Sequence, residues 1–496
     1  MPFLLALDQG TTSSRAFVYD EALQVMAGAQ RPVQQFFPTP GWVEHDPIEI
    51  WHSQRTVALE AIATAGLTPR EIAAVGITNQ RETTVLWNRR TGQPLHRALV
   101  WQDRRTAAIC DTWRAAGRES LVHTKTGLVI DPYFSASKIQ WLLDHCDARA
   151  AAARGELAVG TIDSWLIWNL TGGRLHVTDT SNASRTQLYN LATGTWDDAL
   201  LALWNVPREI LPAICDSSGT LGMVSNCGEL VAPIAGVAGD QQAALFGQAC
   251  FDSGEAKCTY GTGCFILRNI GPDPHLSQQR LLTTVAWSRN GVREFALEGS
   301  VFMGGAVVQW LRDGLGIIQD AAEIETLAAQ VIDSAGVVLV PAFTGLGAPH
   351  WDADARGLLI GMTRGTTRAH VARAALDSIT LQVHDILTAM TRDGGTPLCG
   401  LKVDGGAANN RLLLQLQANL LNTTLVRPQD LESTARGAAS LAGLGLGIWR
   451  SHAELRALQR PAVVIEPVAD TTRNAALLRQ WQAAVSRARG WLRDSA

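Results

Sequence analysis

Residues Leu4 to Asp20 read LLALDQGTTSSRAFVYD. An apolar run that starts at Phe3 ends in an acid, Asp8. Gly10 and the hydroxyl residues Thr11, Thr12, Ser13 and Ser14 follow, then Arg15 and a second apolar run, AFVY. Two short apolar runs joined by a Gly-bearing turn read as a β-hairpin. The turn offers backbone N–H groups, hydroxyl donors and one guanidinium, a surface suited to an anion and above all to phosphate. Asp8, at the lip of the strand, is suited to a cation instead. A carboxylate beside a phosphate cradle points to Mg²⁺, which keeps several waters and takes few protein ligands. A polar hairpin tip with no ligand has the same composition, because Gly/Ser/Thr turns are common. The stretch alone leaves both readings open.

The same grammar returns in GEAKCTYGTGCFILRN (254–269): strand, Gly/Thr turn, strand. It is an internal echo of the opening, one nucleotide-gripping hairpin per domain. LKVDGGAANNRLLLQL (401–416) reads as a strand, a double-Gly turn and a helix whose N-terminus could meet an anion or a nucleoside. No G-x-x-x-x-G-K-[ST] loop is present, so the chain is not a Walker-type NTPase. Two phosphate hairpins in two halves, with a cleft between, would clamp ATP without a Lys loop.

Between these landmarks, strands alternate with helical segments. IAAVGIT (72–78) is a buried strand that delivers Asn79, Gln80, Arg81 and Glu82 at its tip. ALVWQDRR (98–105) repeats the arrangement, with a helix expected from Asp103. Residues 368–393 carry Val371, Ala375, Leu376, Ile379, Val383, Ile386 and Leu387 at helical spacing. GLGLG (443–447) lies in an apolar helical stretch with no strand before it, so close helix packing is favoured over a dinucleotide loop. Thr471 to Arg493 reads as an amphipathic helix with a solvated, Arg-bearing outer face. The alternation gives an α/β architecture.

At 496 residues the chain is too long for one core. Hydrophobic residues make up 46% and charged residues 18%, with a formal charge of −4, so no basic excess argues for nucleic acid or an anionic membrane. Asp8 interrupts the first apolar run, which excludes a secretory leader. No window reaches the roughly 18 apolar residues of a membrane span. The eight Cys form no CxxC pair, which argues against a zinc site or a disulfide framework and fits a reducing cytoplasm. The sixteen Trp against four Tyr have no physical explanation here.

Four residues at three places are candidates for chemistry. Asp240, in APIAGVAGDQQAALFG (232–247), follows small apolar residues and opens a helix, which puts a carboxylate at a strand's end. Phosphoryl transfer asks for such a group to accept a hydroxyl proton. A plain Asp helix cap is the commoner reason for this pattern. Arg81 and Glu82 supply paired donor and acceptor groups for a polyol, or else an ordinary surface ion pair of little energetic weight. Trp101 could cover a polyol's carbon backbone, although an isolated Trp is more often core.

Taken together, ALDQGTTSSRA, PGWVEHDP, GITNQRETT, VWQDRRT, TGLVIDPYFS, TSNASRT, GDQQAALFGQ, TYGTGCF, ALEGSVFMGGA, PAFTGLGAPHWD and VDGGAANN run nearly end to end. In that order they resemble the FGGY family of carbohydrate kinases. Two signatures of that family also fit: one from Tyr133 through Ser135, Lys138 and Trp141 to His145, the other from Gly357 to Asp377. The resemblance implies two actin-like ATPase domains of ribonuclease-H-like topology around a central cleft, residues 1–249 for substrate and phosphate and 250–496 for nucleotide. It implies phosphorylation of glycerol to sn-glycerol 3-phosphate by Mg·ATP, the first step of glycerol breakdown, in a cytoplasmic homo-oligomer, dimer or tetramer. Arg81, Glu82, Trp101, Tyr133, Asp240, Gln241 and Phe265 would line the glycerol pocket, with Asp240 as the base. Thr11, Thr12, Ser13 and Arg15 would meet the phosphates, and Asp8 and Asp240 would stand near Mg²⁺. Thr262, Gly305, Gln309, Gly406 and Asn410 would hold the remaining phosphate and the adenosine. Other members act on ketoses or pentitols, and a catalytically dead sugar sensor would lack Asp8 or Asp240. In some members a Gly-rich loop with Lys and Arg binds fructose 1,6-bisphosphate; here Ser225–Val231 has no cation and one acid, Glu229, so that regulatory site is expected to be absent.

Overall fold

The computed structural model describes residues 2–394, 398–468 and 471–492. The opening stretch forms the expected hairpin: β1 (Phe3–Gln9) and β2 (Ser13–Tyr19) are antiparallel, with Asp8 opposite Arg15. β3 (Val25–Pro32) extends it, and β4 (Ile72–Asn79) lies parallel to β1 on the other side. Further along come β5 (Ser218–Met223) and β6 (Pro233–Gly239), and β6 pairs parallel with β4. The spatial order of this half is therefore third, second, first, fourth, then a parallel neighbour.

The second half repeats the hairpin with a parallel neighbour, but its next two strands lie beyond the hairpin in reverse chain order. β7 (Ala256–Tyr260), β8 (Cys264–Gly271), β9 (Leu282–Arg289) and β10 (Val292–Val301) are joined antiparallel as β7-β8-β10-β9. β11 (Leu401–Asp404) and β12 (Leu425–Pro428) add in parallel on the far side of β7, and β13 (Pro461–Ile465) closes that edge. All thirteen strands form one sheet, β13-β12-β11-β7-β8-β10-β9-β5-β6-β4-β1-β2-β3. The halves meet where β5 and β9 pair through Ser218 and Arg289.

Because strand side chains alternate faces, β1 feeds two cores. Leu5 and Leu7 pack with Ile50, Val57 and Ala61 of the helix Pro47–Thr64. Leu4 and Ala6 pack with Ala438, Leu441 and Ala442 of the helix Ser433–Leu446. Truncating a buried Leu at such a position costs about 2–5 kcal/mol. The helix Pro47–Thr64 begins where the sequence asks it to, with Pro47 in the first turn and the Asp46 carboxylate accepting from Ile48 N at 2.8 Å. The long helix read from 368–393 spans Arg368–Gly394.

Two expectations change. The helix after ALVWQDRR starts at Ala107 and not at Asp103. Asp103 is diverted: its buried carboxylate accepts from Val43 N at 2.7 Å and pairs with Arg105 at 2.8 Å. After the Gly405-Gly406 turn a 3₁₀ turn, Gly406–Asn409, intervenes, and the helix Arg411–Leu421 is already capped by Asn410, which accepts from Leu413 N at 2.8 Å. The C-terminal helix spans Thr471–Ala488 and is amphipathic as read: Trp481, Ala484, Val485 and Ala488 are buried against Val338, Val340 and Leu381, while Arg479 and Arg487 are exposed. Arg493 lies outside the described residues.

Candidate active site

Asp240 is the first residue of the helix Asp240–Gly247, directly after β6. Its carboxylate lies 3.2 Å from Arg81 Nε and is partly open to solvent. Arg81, at the tip of β4, is buried and held on its other edge by Glu298 of β10, with Nη1–Oε2 at 2.5 Å and Nη2–Oε1 at 2.8 Å. This bidentate clamp joins the two halves of the sheet. Arg185 completes it, donating to Glu298 Oε1 at 3.1 Å and to Glu82 Oε1 at 2.7 Å.

The Arg81-Glu82 step is therefore not a surface ion pair. Each residue turns to a different partner, and both are buried. Glu82 has a left-handed backbone, φ 58°, a strained geometry for a side chain of this size. Its carbonyl is fixed by Thr84 Oγ1 at 2.9 Å and Ser135 Oγ at 3.0 Å.

Charge decides the protonation of this cluster. Burial pushes the Glu298 carboxyl up, but Arg185 and Arg81 outweigh it and hold the group at about 2. Glu82 is raised because burial wins over the attraction of Arg185 and Arg81. Burial likewise raises the Tyr133 hydroxyl, which accepts from Arg81 Nη2 at 3.4 Å. Lys138, a residue of the first family signature, is buried under the same loop and pulled down to about 8 by desolvation. It donates to the carbonyls of Pro132 and Tyr133, and so sets the loop that carries Tyr133.

Aromatic side chains wall the cluster. Trp101 meets Tyr133 at 5.6 Å and Phe265 of β8 at 6.4 Å, both edge-on. Its indole N–H donates to Thr11 Oγ1 at 2.9 Å, which ties this wall to the first hairpin turn. Behind that turn Arg15 bridges two acids, Asp8 at 2.5 Å and Glu432 at 2.6 Å. Burial raises the Asp8 carboxyl, the nearby charge of Asp240 adds to the rise, and Arg15 offsets part of it. The tips Thr11, Thr12 and Ser13 stay open to solvent in whole or part.

The nucleotide candidates gather around the second hairpin turn. Gly305 N donates to Gly261 O at 2.8 Å, Gly304 N to Thr262 O at 2.8 Å, and Gln309 N to Gly305 O at 3.1 Å. Gly405 adopts φ +85°, and a Cβ there would lie 2.5 Å from Tyr260 O, so the Gly405-Gly406 turn rests on the base of the same hairpin. Gly406, Gln309 and Thr262 are exposed on this rim. Asn410 is the exception, since its side chain already serves as a helix cap.

Thus the substrate candidates Arg81, Glu82, Trp101, Tyr133, Asp240 and Phe265 come together, with Gln241 next to the base. The nucleotide candidates form a second cluster on the β7–β8 turn, two residues from Phe265. Sequence reasoning missed Glu298, Arg185, Lys138 and Glu432. Glu298 and Arg185 stand inside segments already singled out, ALEGSVFMGGA and TSNASRT, but neither segment names its partner.

Two units, each a hairpin with a polar turn and a strand added parallel to the hairpin's first strand, around a buried carboxylate–guanidinium cluster, are the architecture of actin-like ATPases. The FGGY carbohydrate kinase models match here as well, the N-terminal domain over residues 3–247 and the C-terminal domain over 256–446. The chain belongs to the FGGY family of carbohydrate kinases. It is 58% identical to a glycerol kinase of Aromatoleum aromaticum, over 99% of this chain and 100% of that one. It is 56% identical to a glycerol kinase of Dechloromonas aromatica, over 99% and 98%. A solved glycerol kinase of Plasmodium falciparum with ADP superposes with a TM-score of 0.93 at 37% identity, covering 98% of each chain.

Proposed function

We propose that this chain transfers the γ-phosphate of ATP to a terminal hydroxyl of glycerol, giving sn-glycerol 3-phosphate and ADP. The observation that carries the reading is the Asp240–Arg81–Glu298 array beside the Trp101, Tyr133 and Phe265 rings, in a chain alike over its full length to glycerol kinases. Three carbons and three hydroxyls suit a site with a few charged groups and close aromatic walls. Arg81 donates to hydroxyl oxygens, Glu82 accepts from hydroxyl protons, and the rings cover the carbon chain.

Phosphoryl transfer needs little covalent work from a protein. Asp240 accepts the proton of the attacking hydroxyl as the new O–P bond forms and the bond to the ADP oxygen breaks. Arg81, locked by Glu298, orients Asp240 without reorganising during the reaction. Residues 1–249 are assigned the glycerol and phosphates and residues 250–496 the nucleotide, with Thr11, Thr12, Ser13, Arg15 and Thr262 at the phosphates and Gly305, Gln309, Gly406 and Asn410 at the adenosine. For Arg15 this requires giving up Glu432, its more exposed partner.

Mg²⁺ fits the residues present. Asp240 is near enough for its charge to disfavour that of Asp8, and Asp404 Oδ1 is buried without a partner. An all-oxygen donor set of this kind suits Mg²⁺, held by Asp8 and Asp240 with phosphate and water. When bound, the ion would neutralise phosphate oxygens. Among the described residues no helix is long and apolar enough to cross a membrane. The protein is assigned to a reducing cytoplasm, and the active form is assigned as a homo-oligomer.

The test is a coupled ADP-release assay with Mg·ATP and glycerol, xylulose, ribulose, erythritol and gluconate in parallel. Selective turnover of glycerol is expected. Preference for a longer substrate would overturn the pocket assignment, and silence with all five would overturn the kinase reading.

A further inference from the structure

Lys257 is a lysine with no exposed surface. It lies on β7, and among the described residues it forms no ion pair. Its ammonium donates instead to Gln241 Oε1 at 2.5 Å and to Thr259 Oγ1 at 2.9 Å. Burial pulls its pKa down, while Asp404, Cys258 and Asp240 pull it back up and Arg81 opposes them. A buried ammonium is costly unless its site is built around it. This one has been set against the residue that follows the proposed base.

The bond fixes an ambiguity in the glutamine. An amide has one accepting and one donating end, and the two are interchangeable in shape. A lysine ammonium only donates, so Gln241 must turn its oxygen to Lys257. The NH₂ end is then the one left for substrate. A glycerol hydroxyl that accepts from this NH₂ has its own proton free to donate, and Asp240 is the adjacent acceptor.

We infer that Lys257 is a positioning residue that holds the Gln241 amide with its NH₂ toward the glycerol site, and so selects the orientation in which a bound hydroxyl donates to Asp240. The substrate itself need not touch Lys257, which acts through Gln241. The proposal rests on glycerol being the substrate, so glycerol turnover by the unaltered protein is measured first; its failure sinks that assignment and leaves the amide orientation to be read by direct glycerol binding.

The experiment is a double-mutant cycle of Lys257→Met and Gln241→Ala, read as glycerol KM, ATP KM and kcat. Lys257→Met is expected to raise glycerol KM about tenfold or more, the usual scale for losing a charge-assisted bond. ATP KM should change less than about twofold, since Lys257 acts on the amide and not on nucleotide. In the double variant the two effects on glycerol KM should not add. Additive effects, an unchanged glycerol KM, or equal losses for both substrates would overturn the proposal. Gln241→Glu covers the case in which Lys257→Met does not fold. It keeps an acceptor for Lys257 but has no NH₂ to offer, so glycerol KM should rise again. A wild-type KM in Gln241→Glu would exclude a donating Gln241.

Discussion

Asp240 and Glu298 are both acids on Arg81, and the site asks opposite things of them. Asp240 is partly exposed and is assigned to take a proton. Asp240→Asn keeps the shape and removes the acceptor, so kcat should fall by about 10²–10⁴-fold with glycerol KM within a few-fold of the parent; a kcat within a few-fold would remove Asp240 from the role of base. Glu298 is buried between two guanidiniums and held at about 2. Because its folded value lies below the ordinary carboxylate range, its stabilisation is fully present above about pH 5 and is lost as pH falls toward 2. Glu298→Gln leaves two buried cations short of a counter-charge and should cost about 3–5 kcal/mol at pH 7. The gap between parent and variant should narrow by roughly 1 kcal/mol at pH 3.5, measured by urea unfolding. A gap that stays constant or widens on acidification would show that Glu298 is not held low. Asp240 and Arg81 were legible because a polar residue at the tip of an apolar strand is unusual in one dimension. Glu298 was not, because its partner lies 217 residues away and nothing local marks it.

The helix Ser433–Leu446 turns a reading of small residues into a mechanical part. Its glycines let backbones touch: a Cβ on Gly437 would lie 1.8 Å from Ala243 O, and one on Gly445 would lie 2.4 Å from Ala235 O. Ala243 belongs to the helix that Asp240 opens, so this contact sets where the proposed base sits. Gly437→Ala should therefore lower both stability and kcat, with a stability loss of about 1–3 kcal/mol from overpacking. Gly406→Ala is the control at the scale of a turn. A Cβ there meets nothing within 4 Å, so thermal stability should hold while ATP KM rises. If Gly437→Ala melts and turns over like the parent, the close contact does not control Asp240; if ATP KM is unchanged in Gly406→Ala, that turn does not face nucleotide. Helix packing at GLGLG was readable because Gly inside an apolar helical run has few other uses. The C-terminal helix was readable as amphipathic, but not the surface that its apolar stripe covers. That stripe, Trp481, Ala484, Val485 and Ala488, is visible at helical spacing, but the surface it covers is made by residues far earlier in the chain, among them Val338, Val340 and Leu381.

Across the whole molecule, the strand–turn–strand echo at 3–19 and 256–271 marked one hairpin in each half, and both form antiparallel pairs whose first strand takes a parallel neighbour on its other side, while the strands beyond the hairpin are ordered differently in the two halves. What the echo could not reveal is that the halves share parts. The helix Ser433–Leu446 comes from late in the chain yet fills one face of the first half's strands, and Glu298 of the second half clamps Arg81 of the first. Periodicity reports which face of an element is apolar, not which neighbour covers it. The same limit applies to regulation, where composition is a better guide than pattern. A sugar bisphosphate carries charge at both ends and is recognised by cations, chiefly Arg and Lys. In Ser225–Val231 the polar groups are already used locally: Ser225 N and Asn226 N both donate to Leu170 O, and Asn226 Nδ2 donates to Asn169 O at 3.0 Å. Cys227 is buried, and the segment's charged residue is Glu229, an acid that repels phosphate. Titration of the full-length protein with fructose 1,6-bisphosphate should leave glycerol phosphorylation unchanged into the millimolar range. Introducing cations at Asn226 and Glu229, as Asn226→Arg with Glu229→Lys, should be the change that first makes inhibition measurable. Inhibition of the parent at millimolar concentration or below would mean that another surface of the molecule, not this loop, receives the effector.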